Sequence, residues 1–315
     1  MEEQMSGNVI ETRGLTLYYG RHRGIQDVDL AVVEGEVFGF LGPNGAGKTT
    51  TQRVLLDVIR ATSGTASIFG LDSRKDGPAI RSRIGYLPGD LALPGQMTGR
   101  RFLSLMSSLE SRPVDAAFRD ELCERLELDP DRKIREYSRG NRQKVGVVAA
   151  FMSRPDLVIL DEPTTGLDPL IQQRVMELVR EVRADGRTVF FSSHVLHEVQ
   201  SVCDRVGIIR EGALVKTETV EALTRRQFTR LRLTLRTPPA ADAFARTGVT
   251  EVSRDGNTVL LEVRSELDAV LRRALEYGVD DVATEPVTLE EVFLAFYGER
   301  SNAAVSGRAN GGTDA

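Results

Sequence analysis

Residues Val37 to Thr50, "VFGFLGPNGAGKTT", restrict the fold more than any other stretch of the chain. "VFGFL" is a charge-free run of the kind expected of a strand covered on both faces. The loop after it fits G-x-x-x-x-G-K-[ST], with Gly42, Gly47, Lys48 and Thr49 at the fixed positions. Its glycines let backbone N–H groups close around phosphate oxygens, and a helix opening at its end adds positive potential. Strand, glycine loop and helix in that order place the chain among α/β proteins with a phosphate-binding loop.

Similar apolar runs recur at "RIGYL", "DLVILD", "TVFFSS" and "RVGIIR", separated by helical segments. That alternation predicts a mostly parallel core sheet with crossover helices. Ahead of it, "NVIETRGLTLYYG" and "IQDVDLAVVEGE" alternate faces and predict an antiparallel β subdomain. From Met97 to Ser153 apolar residues fall at three- and four-residue spacing, a helical insertion spanning about 91–155.

The pattern changes after Thr224. "TRLRLTLR" alternates strictly, "TPPAADAFAR" opens a short helix, and Asp255-Gly256-Asn257 turns a hairpin. "SELDAVLRRALEYG" is an amphipathic helix and "VDDVATEPV" a last strand, followed by a capping box, Thr288-x-x-Glu291. The order β-α-β-β-α-β predicts a small C-terminal ferredoxin-like α+β unit with an extra helix. The expected division is 8–224, 225–300, and a small, polar, disordered tail over 301–315.

Composition narrows the function. Of 315 residues 41% are hydrophobic and 28% charged, enough for a real core, and the net charge of −5 lacks the basic footprint of a nucleic-acid binder. The N-terminus lacks the apolar core of a secretory signal, and charge-free stretches fall well short of the roughly 20 apolar residues that span a bilayer. Any membrane role must come through a partner. Cys123 and Cys203 match no metal-ligand spacing and are expected to be reduced, semi-buried thiols.

"DLVILDEPTTGLD" supplies the second half of a nucleotide site. Its strand delivers Asp161 and Glu162 to its C-terminal end, where ligands collect in open α/β sheets. Lys48 is placed to reach β- and γ-phosphates, Thr49 and Asp161 to hold Mg²⁺, and Glu162 to polarise an attacking water.

With these motifs in this order, the chain resembles an ATP-binding cassette (ABC) transporter nucleotide-binding subunit over roughly Val9 to Leu223. The family signature, usually Leu-Ser-Gly-Gly-Gln, is here "YSRGN": Ser138 and Gly140 are retained, while Arg139 and Asn141 depart. The resemblance implies that Ser138 and Gly140 cover the γ-phosphate of ATP held by a second subunit. It implies that Asp168 in "TGLDP" lies at the subunit interface, and that His194 in "FSSH" contacts the γ-phosphate. Asn44, Gly45 and Thr50 join Gly42, Gly47, Lys48 and Thr49 in the nucleotide loop. In "LYYG", Tyr19 fits the adenine-stacking position better than Tyr18, with strand packing the alternative for either.

ATP and Mg²⁺ are the implied cofactors. One set of motifs implies a homodimer with two composite sites. The ending "EPVTLEEVFLAFYG" resembles the C-terminal extension of bacterial multidrug and antibiotic-resistance exporters. The implied role is ATP hydrolysis that powers a separate polytopic membrane permease, exporting a drug, antibiotic or lipid-like substrate, at the cytoplasmic face of the membrane. The alternatives are a soluble ABC ATPase acting as a regulatory or assembly module and, more remotely, a nucleotide-binding scaffold with little hydrolysis.

One position breaks the family pattern. After "GYLP" the family carries a glutamine that approaches Mg²⁺ and water, and by register that position is Gly89. A glycine hinge without metal contact ranks first, substitution by Asp90 second and by Gln96 third.

Overall fold

The computed structural model describes residues 7–225 and 229–285. They form two compact units, divided between Thr219 and Val220.

The first unit is organised around β3 (Val37–Leu41), whose five residues are all buried. β3 lies between β8 (Thr188–Ser193) and β9 (Arg205–Arg210), parallel to both, and β7 (Leu157–Asp161) lies between β8 and β6 (Ile84–Leu87), again parallel. β10 (Ala213–Thr219) closes the six-stranded sheet antiparallel to β9. Strands buried on both faces have no polar side to show, which is why their sequences read as continuous apolar runs. Phe38, Phe40, Phe190 and Phe191 are fully buried, and the rings of Phe38 and Phe190 lie parallel with centroids 5.9 Å apart. Burial of each such side chain stabilises the fold by about 1.5–3 kcal/mol.

A second sheet holds β1 (Asn8–Tyr19) between β2 (His22–Val33) and β4 (Ser63–Ile68), all antiparallel, with β5 (Leu71–Asp72) at its edge. α1 (Lys48–Leu55) runs directly out of the glycine loop, and α2 (Gly77–Arg81) leads into β6. The helical insertion comprises α3 (Gly99–Leu109), α4 (Ala116–Arg125) and α5 (Arg139–Phe151). Side chains cap them: Thr98 accepts from the Arg101 N–H at 3.2 Å and Asp115 from the Ala117 N–H at 2.9 Å. α6 (Pro169–Ala184) connects β7 to β8, and α7 (Leu196–Val202) connects β8 to β9. Cys123 and Cys203 are free and buried, and burial pushes the Cys123 thiol up to about 11.

This topology aligns three loops. β3, β8 and β7 are consecutive neighbours, so the segments leaving their C-terminal ends emerge side by side. Those segments contain Lys48, His194 and Asp161–Glu162.

The second unit contains α8 (Val220–Arg225), β11 (Thr229–Leu235), β12 (Val249–Asp255), β13 (Thr258–Val263), α9 (Leu267–Glu276) and β14 (Val279–Glu285). Its sheet order is β12-β13-β11-β14, antiparallel throughout, the arrangement of a ferredoxin-like unit. The hairpin turns at Gly256, with φ of 56°. One element differs from the sequence reading. "TPPAADAFAR" forms two short turns, with Ala243 N–H to Ala240 O and Ala245 N–H to Asp242 O both at 3.0 Å, and no helix. Helix nucleation costs more than so short a segment regains. Burial of Ala243 and Phe244 in the unit's core fixes the turns instead. The Thr288–Glu291 capping box, the helix it would open and the 301–315 tail lie outside the described residues.

Candidate functional site

The glycine loop closes tightly because Gly47 is a glycine. Its φ is 109°, and a Cβ there would stand 2.8 Å from Ile25 Cγ2 and 3.0 Å from the Gly24 carbonyl oxygen. Any side chain would push the loop off β2 and misalign its N–H groups. At the start of α1, Lys48 is only 5% exposed, and its ammonium donates to the carbonyls of Gly42 at 2.7 Å and Pro43 at 3.1 Å. The same ammonium is 3.3 Å from Glu162 Oε1.

Asp161 ends β7 and is 1% exposed. It accepts from Thr49 Oγ1 at 2.6 Å on Oδ2 and from Ser192 Oγ at 2.6 Å on Oδ1. A buried carboxylate held by two hydroxyls is oriented by them. Thr49 Oγ1 and Asp161 Oδ2 are the hard oxygen donors that Mg²⁺ prefers, and Mg²⁺ characteristically takes one or two carboxylates and completes its shell with phosphate and water. Among the described residues no three His, Cys, Asp or Glu side chains cluster as a protein-only metal centre.

Glu162 is held in a left-handed backbone conformation with φ of 49°, uncommon for a non-glycine residue. Its N–H donates to the Ser192 carbonyl at 3.1 Å, and Gln143 Nε2 of α5 donates to the Glu162 carbonyl at 3.2 Å and the Pro163 carbonyl at 3.1 Å. These bonds fix a bend that aims the side chain at the loop. Glu162 Oε1 then lies 3.1 Å from His194 Nδ1 as well as close to Lys48. Burial raises the Glu162 pKa, but the Lys48 and His194 charges, with their hydrogen bonds, overcome it and hold the value below the ordinary 4.5. The carboxyl is therefore ionised at neutral pH and can accept a hydrogen bond from water.

Tyr19, Asn44, Gly45, Gly47, Lys48, Thr49, Thr50 and Glu162 line one cleft together with Arg23 and Gly24. Tyr19 is half exposed, with its hydroxyl 3.4 Å from Thr50 Oγ1. Tyr18 is absent from this lining and donates to Gln26 Oε1 at 3.5 Å. Ser138, Gly140 and Asp168 are also absent from it. Ser138 caps α5, accepting from the Asn141 N–H at 3.2 Å, and Asp168 caps α6, accepting from the Ile171 N–H at 3.1 Å. Both side chains are exposed, and Gly140 sits close against the Gly166 carbonyl. Within a single chain these three residues do not line the cleft that holds Lys48.

Gly89 lies directly against Asp161. A Cβ at this position would be 2.8 Å from Asp161 Oδ2 and 3.1 Å from its Cγ. Asp90 and Gln96 are exposed, and neither makes a side-chain hydrogen bond or ion pair among the described residues. On β6, burial and then the Asp161 charge push the Tyr86 hydroxyl up to about 12, so a neutral phenol stands near that carboxylate.

Several contributors to the site escaped the sequence reading. Ser192 and Gln143 orient Asp161 and Glu162, and Arg23 and Gly24 wall the cleft. Of these, only Ser192 carries a sequence signal, as the last polar position before Ser193-His194 at the end of a buried strand.

A family model described as "ABC transporter" matches residues 25–165. The daunorubicin resistance ATP-binding protein DrrA3 of Streptomyces coeruleorubidus is 35% identical over 309 residues, covering 94% of this chain and 98% of that protein. The bacitracin transport ATP-binding protein BcrA of Bacillus licheniformis is 36% identical over 221 residues, covering 69% of this chain and 72% of that protein. Among solved structures, an ATP-binding subunit of an ABC transporter superposes with a TM-score of 0.63 at 29% identity, covering 69% of this chain and 92% of that one. The glycine loop, the Thr49–Asp161 pair and Glu162 lie within the residues that the family model matches, and His194 lies beyond them. The chain belongs to the ABC transporter family, as an ATP-binding and ATP-hydrolysing subunit.

Proposed function

We propose that the chain powers a separate polytopic membrane permease that exports a drug, antibiotic or lipid-like molecule. The observation that carries this is the convergence of Lys48, Thr49–Asp161 and Glu162–His194 at the ends of three adjacent strands, in a chain with no described helix able to span a membrane. Hydrolysis released by such a site does mechanical work in a membrane only through a partner. The names of the resistance and transport relatives support export, and with it action at the cytoplasmic face of the membrane.

In this reading Tyr19 stacks on adenine, the loop from Gly42 through Thr50 wraps the phosphates, and Lys48 neutralises them. Thr49 and Asp161 would hold Mg²⁺, which would neutralise phosphate charge. Glu162 orients the attacking water and accepts its proton, with His194 fixing the carboxylate and reaching the γ-phosphate. Ser138, Gly140 and Asp168, which do not line the cleft of their own chain, complete the site of a second copy in a head-to-tail homodimer. No nucleic acid takes part.

Copurification after membrane solubilisation tests the central partnership. A polytopic membrane protein retained with the chain, and raising its ATP turnover, supports the reading. Retention of only soluble proteins with unchanged turnover would favour a regulatory or assembly module.

A further inference from the structure

Glu198 is 9% exposed, in the first turn of α7, and it pairs with no lysine, arginine or histidine among the described residues. A buried carboxylate without a cation is costly, so its surroundings must stabilise the charge. Two hydroxyls do so. Thr164 Oγ1 donates to Oε1 at 2.5 Å and Ser193 Oγ donates to Oε2 at 2.8 Å, short charge-assisted bonds that fix both donors.

The two donors belong to different loops. Thr164 follows Glu162 in the segment between β7 and α6 that ends at Asp168, and Ser193 immediately precedes His194. Each donor is tied into its own loop: Ser193 Oγ accepts from the Val195 N–H at 2.9 Å, and Thr164 O accepts from the Leu167 N–H at 3.1 Å.

We propose that Glu198 is a positioning residue for hydrolysis, its carboxylate clamping the loop of Glu162 and Asp168 to the loop of His194. The clamp holds the 3.1 Å Glu162–His194 contact and makes the two loops move together. Glu198 does not line the cleft that holds Lys48, Thr49 and Glu162. A carboxylate suits this task because each of its oxygens accepts from one hydroxyl, whereas an amide has a single acceptor oxygen. The inference rests on the roles given above to Glu162 and His194.

The test compares Glu198→Gln, Thr164→Val and Thr164→Ser in the full chain, measuring kcat, ATP affinity and melting temperature. Glu198→Gln and Thr164→Val are expected to lower kcat about 10- to 100-fold while ATP affinity stays within about twofold. Thr164→Ser keeps the hydroxyl and is expected to recover most of the rate, a rescue that a purely packing role of Thr164 does not predict. Thr164→Val also serves if Glu198→Gln fails to fold. A folded Glu198→Gln with undiminished kcat, equal rates for Thr164→Val and Thr164→Ser, or a loss confined to ATP affinity would overturn the clamp. With Glu162→Gln as control, loss of turnover there alongside an active Glu198→Gln rejects the clamp but not the site. Turnover retained in Glu162→Gln rejects both.

Discussion

Lys48 Nζ lies 3.3 Å from Glu162 Oε1, and that oxygen is also 3.1 Å from His194 Nδ1. The group expected to activate water is thus paired with two groups expected to receive phosphate. In the proposed reading an arriving γ-phosphate competes with Glu162 for Lys48, while His194 Nδ1 keeps its contact with the carboxylate. Lys48→Ala removes the phosphate partner, and with it charge-assisted bonds worth about 1.5–3 kcal/mol. ATP affinity should fall about 10- to 100-fold in equilibrium binding. Unchanged affinity would contradict the role of the loop.

The lowered Glu162 pKa makes a prediction about stability. A carboxyl depressed in the folded state contributes stability that is complete above its ordinary value of 4.5 and is lost as pH falls through its folded value. The melting-temperature advantage of the wild type over Glu162→Gln should therefore shrink as the pH falls below that value. An advantage that grows on acidification would contradict the Lys48 and His194 pairing as its source.

Gly89 is the test of the missing glutamine. Asp161 is fixed by Thr49 and Ser192, so it cannot yield to a Cβ 2.8 Å away without breaking those bonds. Gly89→Ala and Gly89→Gln should both lower turnover, by about tenfold or more, and both should require more Mg²⁺ for half-maximal rate. Turnover raised by Gly89→Gln would show instead that the glycine leaves a contact unmade.

Tyr19 presents an exposed ring face beside the nucleotide loop, whereas Tyr18 leans toward Gln26. Tyr19→Ala should weaken ATP binding several-fold, in line with about 0.5–1.5 kcal/mol for a stacked ring, and Tyr19→Phe should not. A comparable loss in Tyr18→Ala alone would reverse the assignment.

How much of this was legible in the sequence follows the range of the interactions. Val37–Thr50 and Leu157–Glu162 could be read directly, because a buried strand and the loop after it are contiguous in sequence. The neighbouring order of β3, β8 and β7 is a long-range property, as are the bonds by which Ser192 and Gln143 hold Asp161 and Glu162 and by which Glu198 holds Thr164. No local pattern encodes a hydroxyl 2.6 Å from a carboxylate 31 positions away. The Gly89 departure was visible as a missing side chain, but its packing on Asp161 needed the fold. In the second unit, strand alternation predicted the sheet. The segment "TPPAADAFAR" misled because burial of Phe244, not helical propensity, sets its conformation.

The account's central claim, that Glu162 drives hydrolysis at a site built by Lys48, Thr49 and Asp161, is tested most directly by steady-state ATP turnover of Glu162→Gln, with ATP binding and molecular mass measured on the same sample. The predicted result is loss of turnover with ATP still bound and the chain accumulating as a dimer in ATP and Mg²⁺. Turnover at the wild-type rate would contradict it.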